Sequence, residues 1–186
     1  MDRAEETESD SISDGKDVHI IGLMEHIEPA GIHSGDSCAV LPPFSLSADV
    51  IAHMETYSKK IAKALNVIGL LNIQFAVKDD KVYVIEANPR ASRTVPFIAK
   101  AYDVPYINIA TKVMLGVNEL KDFEIVRKLE GYAIKEPVFS FDKFPEVTKE
   151  LGPEMKSTGE AIRFIKDLED PYFLKLNKDK SMYLSK

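Results

Sequence analysis

The sequence lacks several features that secreted, membrane-spanning and nucleic-acid-binding proteins need. Its 186 residues include one cysteine, Cys38, which cannot form an internal disulfide. No apolar run approaches the ~20 residues of a transmembrane helix, and no charged and apolar leader opens the sequence. The formal net charge is −6, which argues against nucleic acid as the main partner, since no basic stripe in the sequence would displace its counterions. We therefore expect a cytoplasmic protein that binds neither membrane nor nucleic acid.

The rest of the composition, 45% hydrophobic, allows one sizeable core. Ser47 is the expected N-cap of the first helix, whereas the acidic, Ser/Asp-rich segment 1–15 alone resembles a frayed terminus. Apolar periodicity predicts an α+β fold, with a mostly antiparallel sheet and helices packed on one side. The predicted strands are 17–26, 38–41, 70–78, 81–88 and 131–139; the predicted helices are 48–66, 94 onward, 105–115, 159–168 and the segment after 171.

The segments before and after Asp79-Asp80 form a predicted hairpin, whose register follows from the alternation of side chains. A pairing of Lys78 with Lys81 would mix polar and apolar groups on both faces. A loop of residues 79–81 instead opposes Lys78 with Val82, and we prefer it because it collects the oxygen ligands on one face. The resulting pairs are Phe75 with Ile85 and Val77 with Tyr83 on a core face, and Gln74 with Glu86 and Asn72 with Asn88 on a polar face.

Two arginines, Arg90 and Arg93, follow this polar face at once. Carboxylate and amide oxygens suit Mg²⁺, which shares its ligands with substrate phosphates, and guanidinium groups match phosphoryl oxygens. The alternative is that Glu86 and Asn88 belong to a solvated strand face and that the arginines are surface residues. Because a helix N-terminus is already partly positive, paired arginines there favour a nearby anion. These residues predict a magnesium–polyphosphate site.

The loop Gly31-Ile32-His33-Ser34-Gly35-Asp36 is a weaker signal, since its residue types are common in turns. His33 taken alone is more often structural than catalytic. The histidines His19, His26, His33 and His53 lack the close spacing of a zinc site, so we expect no transition metal.

Three long segments carry a family resemblance: MEHIEPAGIHSGDSCAVLPPFSLS from Met24, LLNIQFAVKDDKVYVIEANPRASRTVPFIAKAYDVP from Leu70, and LGPEMKSTGE from Leu151. They resemble the large chain of carbamoyl-phosphate synthase, and within it the second of two homologous ATP-grasp halves. That half carries AGxHSGDS and NPRxSRTVPF, as here, whereas the first carries MGVHTGDS and NPRVSRSSA. The resemblance covers roughly Glu6 to Glu160.

The resemblance implies an ATP-grasp C-terminal lobe over residues 1–120, followed by a trailing strand and helical tail over 121–186. It implies an ATP-dependent ligase that phosphorylates carbamate to carbamoyl phosphate, in arginine and pyrimidine biosynthesis. The implied partners are the remaining large-chain halves and a glutaminase small chain. Since the resemblance begins at the second lobe, we expect the isolated chain to be inactive.

The resemblance also implies a role for each site residue. Arg90 and Arg93 are the implied catalytic residues, facing the phosphoryl acceptor and the γ-phosphate. Glu6 opens an E-x-D/E-x-D pattern in relatives, but Thr7 and Ser9 replace its usual valines, which leaves a strand there in question. The implied ATP-binding residues are Glu6, Gly31, Ile32, His33, Ser34, Gln74 and Glu86, and the implied ligands of Mg²⁺ or Mn²⁺ are Gln74, Glu86 and Asn88.

Two other functions stay open from the sequence. One is another ATP-grasp ligase such as a biotin carboxylase, although that family follows its Asn with an R-x-Q-V-E-H type segment, where this chain has Ala91-Ser92-Arg93-Thr94-Val95-Pro96. The other is a non-catalytic remnant that serves as an assembly or binding module.

Overall fold

The computed structural model describes residues 4–125 and 127–184, with side chains in the last helix described to residue 178. The strands are β1 Glu5–Asp14, β2 Val18–Pro29, β3 Ala39–Leu41, β4 Ile68–Lys78, β5 Lys81–Asn88, β6 Tyr132–Phe139 and β7 Ser157–Ile165. The helices are α1 Ala48–Ala64, α2 Thr94–Tyr102, α3 Tyr106–Met114 and α4 Pro171–Leu184, with a 3₁₀ turn at Leu120–Asp122. The strands form one seven-stranded antiparallel sheet in the order β5-β4-β1-β2-β3-β6-β7.

Strand β1 lies inside the sheet, between β2 and β4, although its sequence is polar. The expectation of a frayed terminus is therefore wrong for this segment. Its hydroxyl-bearing residues face α1, where the Ser9 and Ser58 hydroxyls are 2.7 Å apart and the Thr7 hydroxyl lies 3.6 Å from the Met54 sulfur. Because buried polar groups with hydrogen-bond partners cost little, a strand of this composition can be buried.

Helices pack against both faces of the sheet. The predicted class, α+β with a mostly antiparallel sheet, is confirmed, and Ser47 caps α1 by accepting from the Val50 N–H at 3.3 Å. Helix α1 covers a core that includes Phe75 of β4. Helices α2 and α3 differ from the expected arrangement, because they pack on the opposite face around Ile12 and Ile21. That face is apolar at one end and polar at the other.

The segment 159–168, predicted as a helix, is instead the edge strand β7, so that prediction is wrong. It pairs along β6 from Tyr132–Ile165 to Phe139–Ser157. The hydrogen-bonding partners that β6 supplies decide the structure here, and a pattern read along the chain does not reveal them. Since β6 also pairs with β3, residues beyond 120 continue the same sheet.

Next to its turn, the β4–β5 hairpin has the register that mixes polar and apolar groups on its faces. Lys78 pairs with Lys81, and the turn residues Asp79 and Asp80 have φ of 50° and 56°. Positive φ at both central positions is typical of a two-residue hairpin turn. The predicted three-residue loop is wrong because it neglected this turn chemistry.

Further along the hairpin, the predicted register is confirmed. Gln74 pairs with Glu86 and Asn72 with Asn88. A bulge at Ile85 absorbs the one-residue difference between the two registers. The predicted core face on this strand is wrong, since Tyr83 and Ile85 are 39% and 52% exposed on an edge strand.

Among the described residues, no helix combines the length and the apolar character needed to cross a membrane.

Candidate functional site

Two adjoining cavities open at the polar end of the face that carries α2 and α3. The first has a volume of about 460 Å³ and the second about 330 Å³. They share His33, Ser34, Gln74 and Glu86. The first is also lined by Glu8, Gly35, Asn72, Arg90, Ala91, Ser92, Arg93, Thr94, Lys135 and Met155, and the second by Glu6, Gly31, Ile32, Ile85 and Pro153.

The hairpin places its predicted metal ligands together. Gln74 and Glu86 line both cavities, while Asn88 lines neither and donates from Nδ2 to Glu86 Oε1 at 2.8 Å. Gln74 donates from Nε2 to Ser34 Oγ at 3.1 Å, which leaves its amide oxygen as a potential cation ligand. Carboxylate and amide oxygens are the donors that Mg²⁺ prefers, so this set fits a hard divalent cation. Within the described residues, no group of three His, Cys, Asp or Glu converges on a common point.

The loop between β2 and β3 is held against the chain before β7. Asp36 is fully buried, and its carboxylate accepts from the backbone N–H groups of Lys156 and Ser157, both at 2.8 Å. The His33 N–H donates to the Gly152 carbonyl at 2.8 Å, and His33 Nδ1 accepts from the Gly35 N–H at 3.0 Å. These contacts keep His33 and its neighbours at the junction of the two cavities.

Glu6 lies in β1 and lines the second cavity, so a strand does form there. The Gly31 N–H donates to Glu6 Oε2 at 3.4 Å, and Gly31 has φ of 108°, a left-handed value that glycine tolerates. Burial raises the pKa of Glu6, and the charge of His26 and the Gly31 hydrogen bond oppose this only in part. Gly31 and Ile32 line the same cavity.

A row of buried polar residues beneath the first cavity was not predicted as part of the site. The Glu8 carboxylate meets His26 Nε2 at 3.4 Å and accepts from Asn72 Nδ2 at 3.1 Å. Lys135 is 2% exposed and donates from Nζ to the Ser34 carbonyl at 2.8 Å. Burial favours the neutral form of Glu8, but the His26 hydrogen bond and charge, with Lys135 and Asn72, hold its pKa below the ordinary value.

Some of these residues left a signal in the sequence. Glu8 and Asp10 belong to the E-x-E-x-D pattern that begins at Glu6, and Asn72 was placed on the polar face of the hairpin. For Lys135 the sequence carried no signal of a role in the site beyond its position inside a strand, because its contacts come from distant parts of the chain.

The segment after β5 brings both predicted catalytic arginines to the first cavity. Arg90 and Arg93 are exposed there, and Ser92 and Thr94 line the same wall. Asp10, 1% exposed, accepts from the Ser92 and Thr94 hydroxyls at 2.6 and 2.5 Å. Burial, together with the charge of Glu8, raises the pKa of Asp10 to about 7.

Residues 1–122 match a family model described as "Carbamoyl-phosphate synthase L chain, ATP binding domain". The chain belongs to this family. It is 53% identical over 175 residues to the carbamoyl phosphate synthase large chain of Archaeoglobus fulgidus, an alignment that covers 93% of this chain and 16% of the relative.

A second relative has a narrower name. The carbamoyl phosphate synthase large chain, C-terminal section, of Methanocaldococcus jannaschii is 49% identical over 184 residues, covering 93% of this chain and 30% of the relative. The predicted family is thus confirmed, with a C-terminal section among the relatives. The chain spans less than a third of the length of either relative.

Solved structures show the fold. The biotin carboxylase domain of a single-chain bacterial carboxylase matches with a TM-score of 0.71 at 16% identity, covering 94% of this chain and 46% of the other. The urea amidolyase of Kluyveromyces lactis gives 0.70 at 15% identity, covering 94% and 12%. At these identities the likeness concerns the fold alone, whereas relatives at about 50% identity are carbamoyl phosphate synthase large chains.

Proposed function

We propose that this chain is the ATP- and Mg²⁺-binding lobe of a carbamoyl-phosphate synthase, in which carbamate and ATP give carbamoyl phosphate and ADP. The observation that carries the proposal is the first cavity. It brings the oxygen ligands Gln74 and Glu86 to the same space as Arg90 and Arg93. The relatives' names support the choice of reaction.

In this proposal, the residues act by positioning and charge. Gln74, Glu86 and Asn88 would hold Mg²⁺, which neutralises phosphate charge when bound. Arg90 and Arg93 stabilise the transferring phosphoryl group while a carbamate oxygen bonds to the γ-phosphorus and the bond to ADP breaks. No covalent nucleophile is needed for such a transfer.

The second cavity would take the nucleoside end of ATP. Glu6 would contact the ribose. The nucleotide would lie along the segment Gly31, Ile32, His33 and Ser34. The shared lining of the two cavities allows one nucleotide to extend from one into the other.

We further propose that other chains or segments complete this site. The chain spans 16% to 30% of its relatives, and the proposed partners are the remaining large-chain halves and a glutaminase small chain. The isolated chain would then be inactive. Residues 1–120 would form the nucleotide and metal half-site, and 121–186 would extend it, in a cytoplasmic enzyme of arginine and pyrimidine biosynthesis.

The test is Glu86→Gln in a synthase assembled from this chain and the proposed partners. The substitution keeps the shape and removes the charge, so ATP formation from ADP and carbamoyl phosphate should fall about 10²-fold or more. Bicarbonate-dependent ATP hydrolysis, assigned to the other half, should persist. Folding should hardly change, because an exposed strand charge contributes little to stability.

Glu160→Gln is the matched control, since Glu160 is also an exposed strand glutamate and lies outside both cavities; it should keep full activity. The isolated chain should form no ATP. If Glu86→Gln retains this partial reaction, or unfolds, the assignment of Glu86 is wrong.

A further inference from the structure

Asp10 occupies the point at which β1 meets the segment that carries the arginines. Its Oδ1 accepts from the Ser92 hydroxyl at 2.6 Å and its Oδ2 from the Thr94 hydroxyl at 2.5 Å. Ser92 and Thr94 lie on either side of Arg93 and are themselves 2.8 Å apart at their hydroxyls. One buried carboxylate therefore fixes the chain immediately before and after an arginine.

Few contacts of their own hold the two arginine side chains in place. Arg90 and Arg93 are exposed, and the Arg90 side chain donates to the neighbouring Ala91 carbonyl at 3.1 Å. Arg93 is at the N-cap position of α2 but makes no side-chain capping bond. Ser92 instead accepts from the Val95 N–H at 3.3 Å, so the start of α2 rests on a hydroxyl that Asp10 holds.

Asp10 also connects this segment to the hairpin. Asn72 Nδ2 donates to Asp10 Oδ1 at 3.2 Å, and Asn72 pairs across the sheet with Asn88. Asp10 is therefore hydrogen-bonded both to the segment that carries the arginines and to the hairpin that carries the proposed metal ligands. Asp10 itself is 1% exposed and lines neither cavity, so a ligand in the cavities does not touch it.

We propose that Asp10 is a positioning residue for phosphoryl transfer, which orients Arg90 and Arg93 toward the first cavity by binding the Ser92 and Thr94 hydroxyls. This inference rests on the proposed function. Misplacing a charge-stabilising group by about 1 Å can cost about 10²-fold in rate. Loss of Asp10 should then lower kcat while nucleotide binding, which uses the second cavity, persists.

The experiment uses the assembled synthase and measures ATP formation from ADP and carbamoyl phosphate. Asp10→Ala should lower kcat about 10- to 100-fold and leave the KM for ADP within about twofold. Asp10→Asn keeps a hydrogen-bonding group of the same size and should restore most of kcat. Thr94→Val should lower kcat, whereas Thr94→Ser, which keeps the hydroxyl, should not.

Ser9→Ala is the control for destabilisation of β1, since Ser9 binds Ser58 on the opposite face. It should keep kcat even if its melting temperature falls as far as that of Asp10→Ala. Equal losses of kcat in Ser9→Ala and Asp10→Ala, or a KM for ADP that rises as kcat falls, would overturn the positioning role.

The arginines separate this inference from the proposed function. If Arg90→Ala and Arg93→Ala are inactive while Asp10→Ala and Thr94→Val work normally, only the role of Asp10 is wrong. If both arginine variants keep full activity, the proposed function fails and the role of Asp10 fails with it.

Discussion

Glu6, Glu8 and Asp10 lie on the same face of one strand, yet each carboxylate has a different environment. Burial raises the pKa of Glu6, and burial together with Glu8 raises that of Asp10 to about 7. Glu8 is the exception, since His26 and Lys135 hold its pKa below the ordinary value. The strand therefore carries one charged acid beneath the first cavity, between two acids that burial pushes toward the neutral form.

The raised pKa of Asp10 predicts a pH dependence of stability. An unfolded aspartate titrates at about 3.9, so between that pH and about 7 Asp10 carries a proton in the folded state and has lost it in the unfolded state. Protonated Asp10 contributes fully to the free energy of unfolding below the unfolded-state pKa. This contribution is lost as the pH rises through the folded-state pKa. Asp10→Asn does not titrate, so its stability relative to wild type should improve from pH ~4 to ~7. Urea unfolding of both proteins across that range checks this, and a constant difference would contradict it.

The site shows which residues a sequence can reveal. Gln74, Glu86, Arg90 and Arg93 were predicted and do line the first cavity, because all lie within one short stretch around a hairpin. Lys135 was missed, since Ser34, the residue it contacts, is distant in the chain. A local sequence pattern predicts local geometry, whereas buried polar contacts between distant strands are seen only in the folded structure.

At the scale of elements, the errors have separate physical causes. For β1, polar composition suggested disorder, but β2 and β4 supply its backbone partners. For β7, a helical interpretation failed because β6 pairs along its length. For the hairpin, the polar-face register was right and the turn was wrong, and a bulge at Ile85 reconciles the two.

The approach of α2 to β2 gives a prediction at this scale. A Cβ at Gly22 would lie 2.6 Å from Ile98 Cδ1 and 3.0 Å from its Cγ1. Cδ1 can turn about χ2, but Cγ1 and Cγ2, at 3.0 and 3.1 Å, are held by the stiff χ1 of isoleucine. Relieving all three contacts requires Ile98 or α2 to move, so Gly22→Ala should destabilise the protein by about 1–3 kcal/mol. Thermal unfolding measures this.

A double mutant tests the cause. Ile98→Val removes Cδ1, so Gly22→Ala should cost less in that background, by about 0.5 kcal/mol or more. Gly152→Ala is the matched control, because a Cβ there meets nothing within 4 Å. Additive effects of Gly22→Ala and Ile98→Val would show that the contact with Ile98 is not the source of the cost.

Across the whole molecule, the helices that form the cores and the cavities of the candidate site occupy different regions of the sheet. Helix α1 covers one part of the core and α4 another, while the face that carries α2 and α3 divides into an apolar end beneath these helices and a polar end that holds the cavities. The arginines lie between these two ends, at the start of α2. Their placement thus depends on the core of α2 on one side and on Asp10 on the other.

The strand β5 at one end of the sheet leads to the last prediction. In the described part of the chain it pairs with β4 alone, and Val84 is 45% exposed. Exposed apolar edge strands favour pairing between chains, so the isolated chain should self-associate as its concentration rises. Val84→Lys should suppress this association, because a lysine at an edge resists strand pairing while its stem can still cover apolar surface. Light scattering over a concentration series measures the effect.

Thr111→Lys is the control, because it adds the same charge at an exposed position of α3; this variant should associate like wild type. A wild-type chain that stays monomeric, or equal suppression of association by both variants, would show that β5 is not the interface.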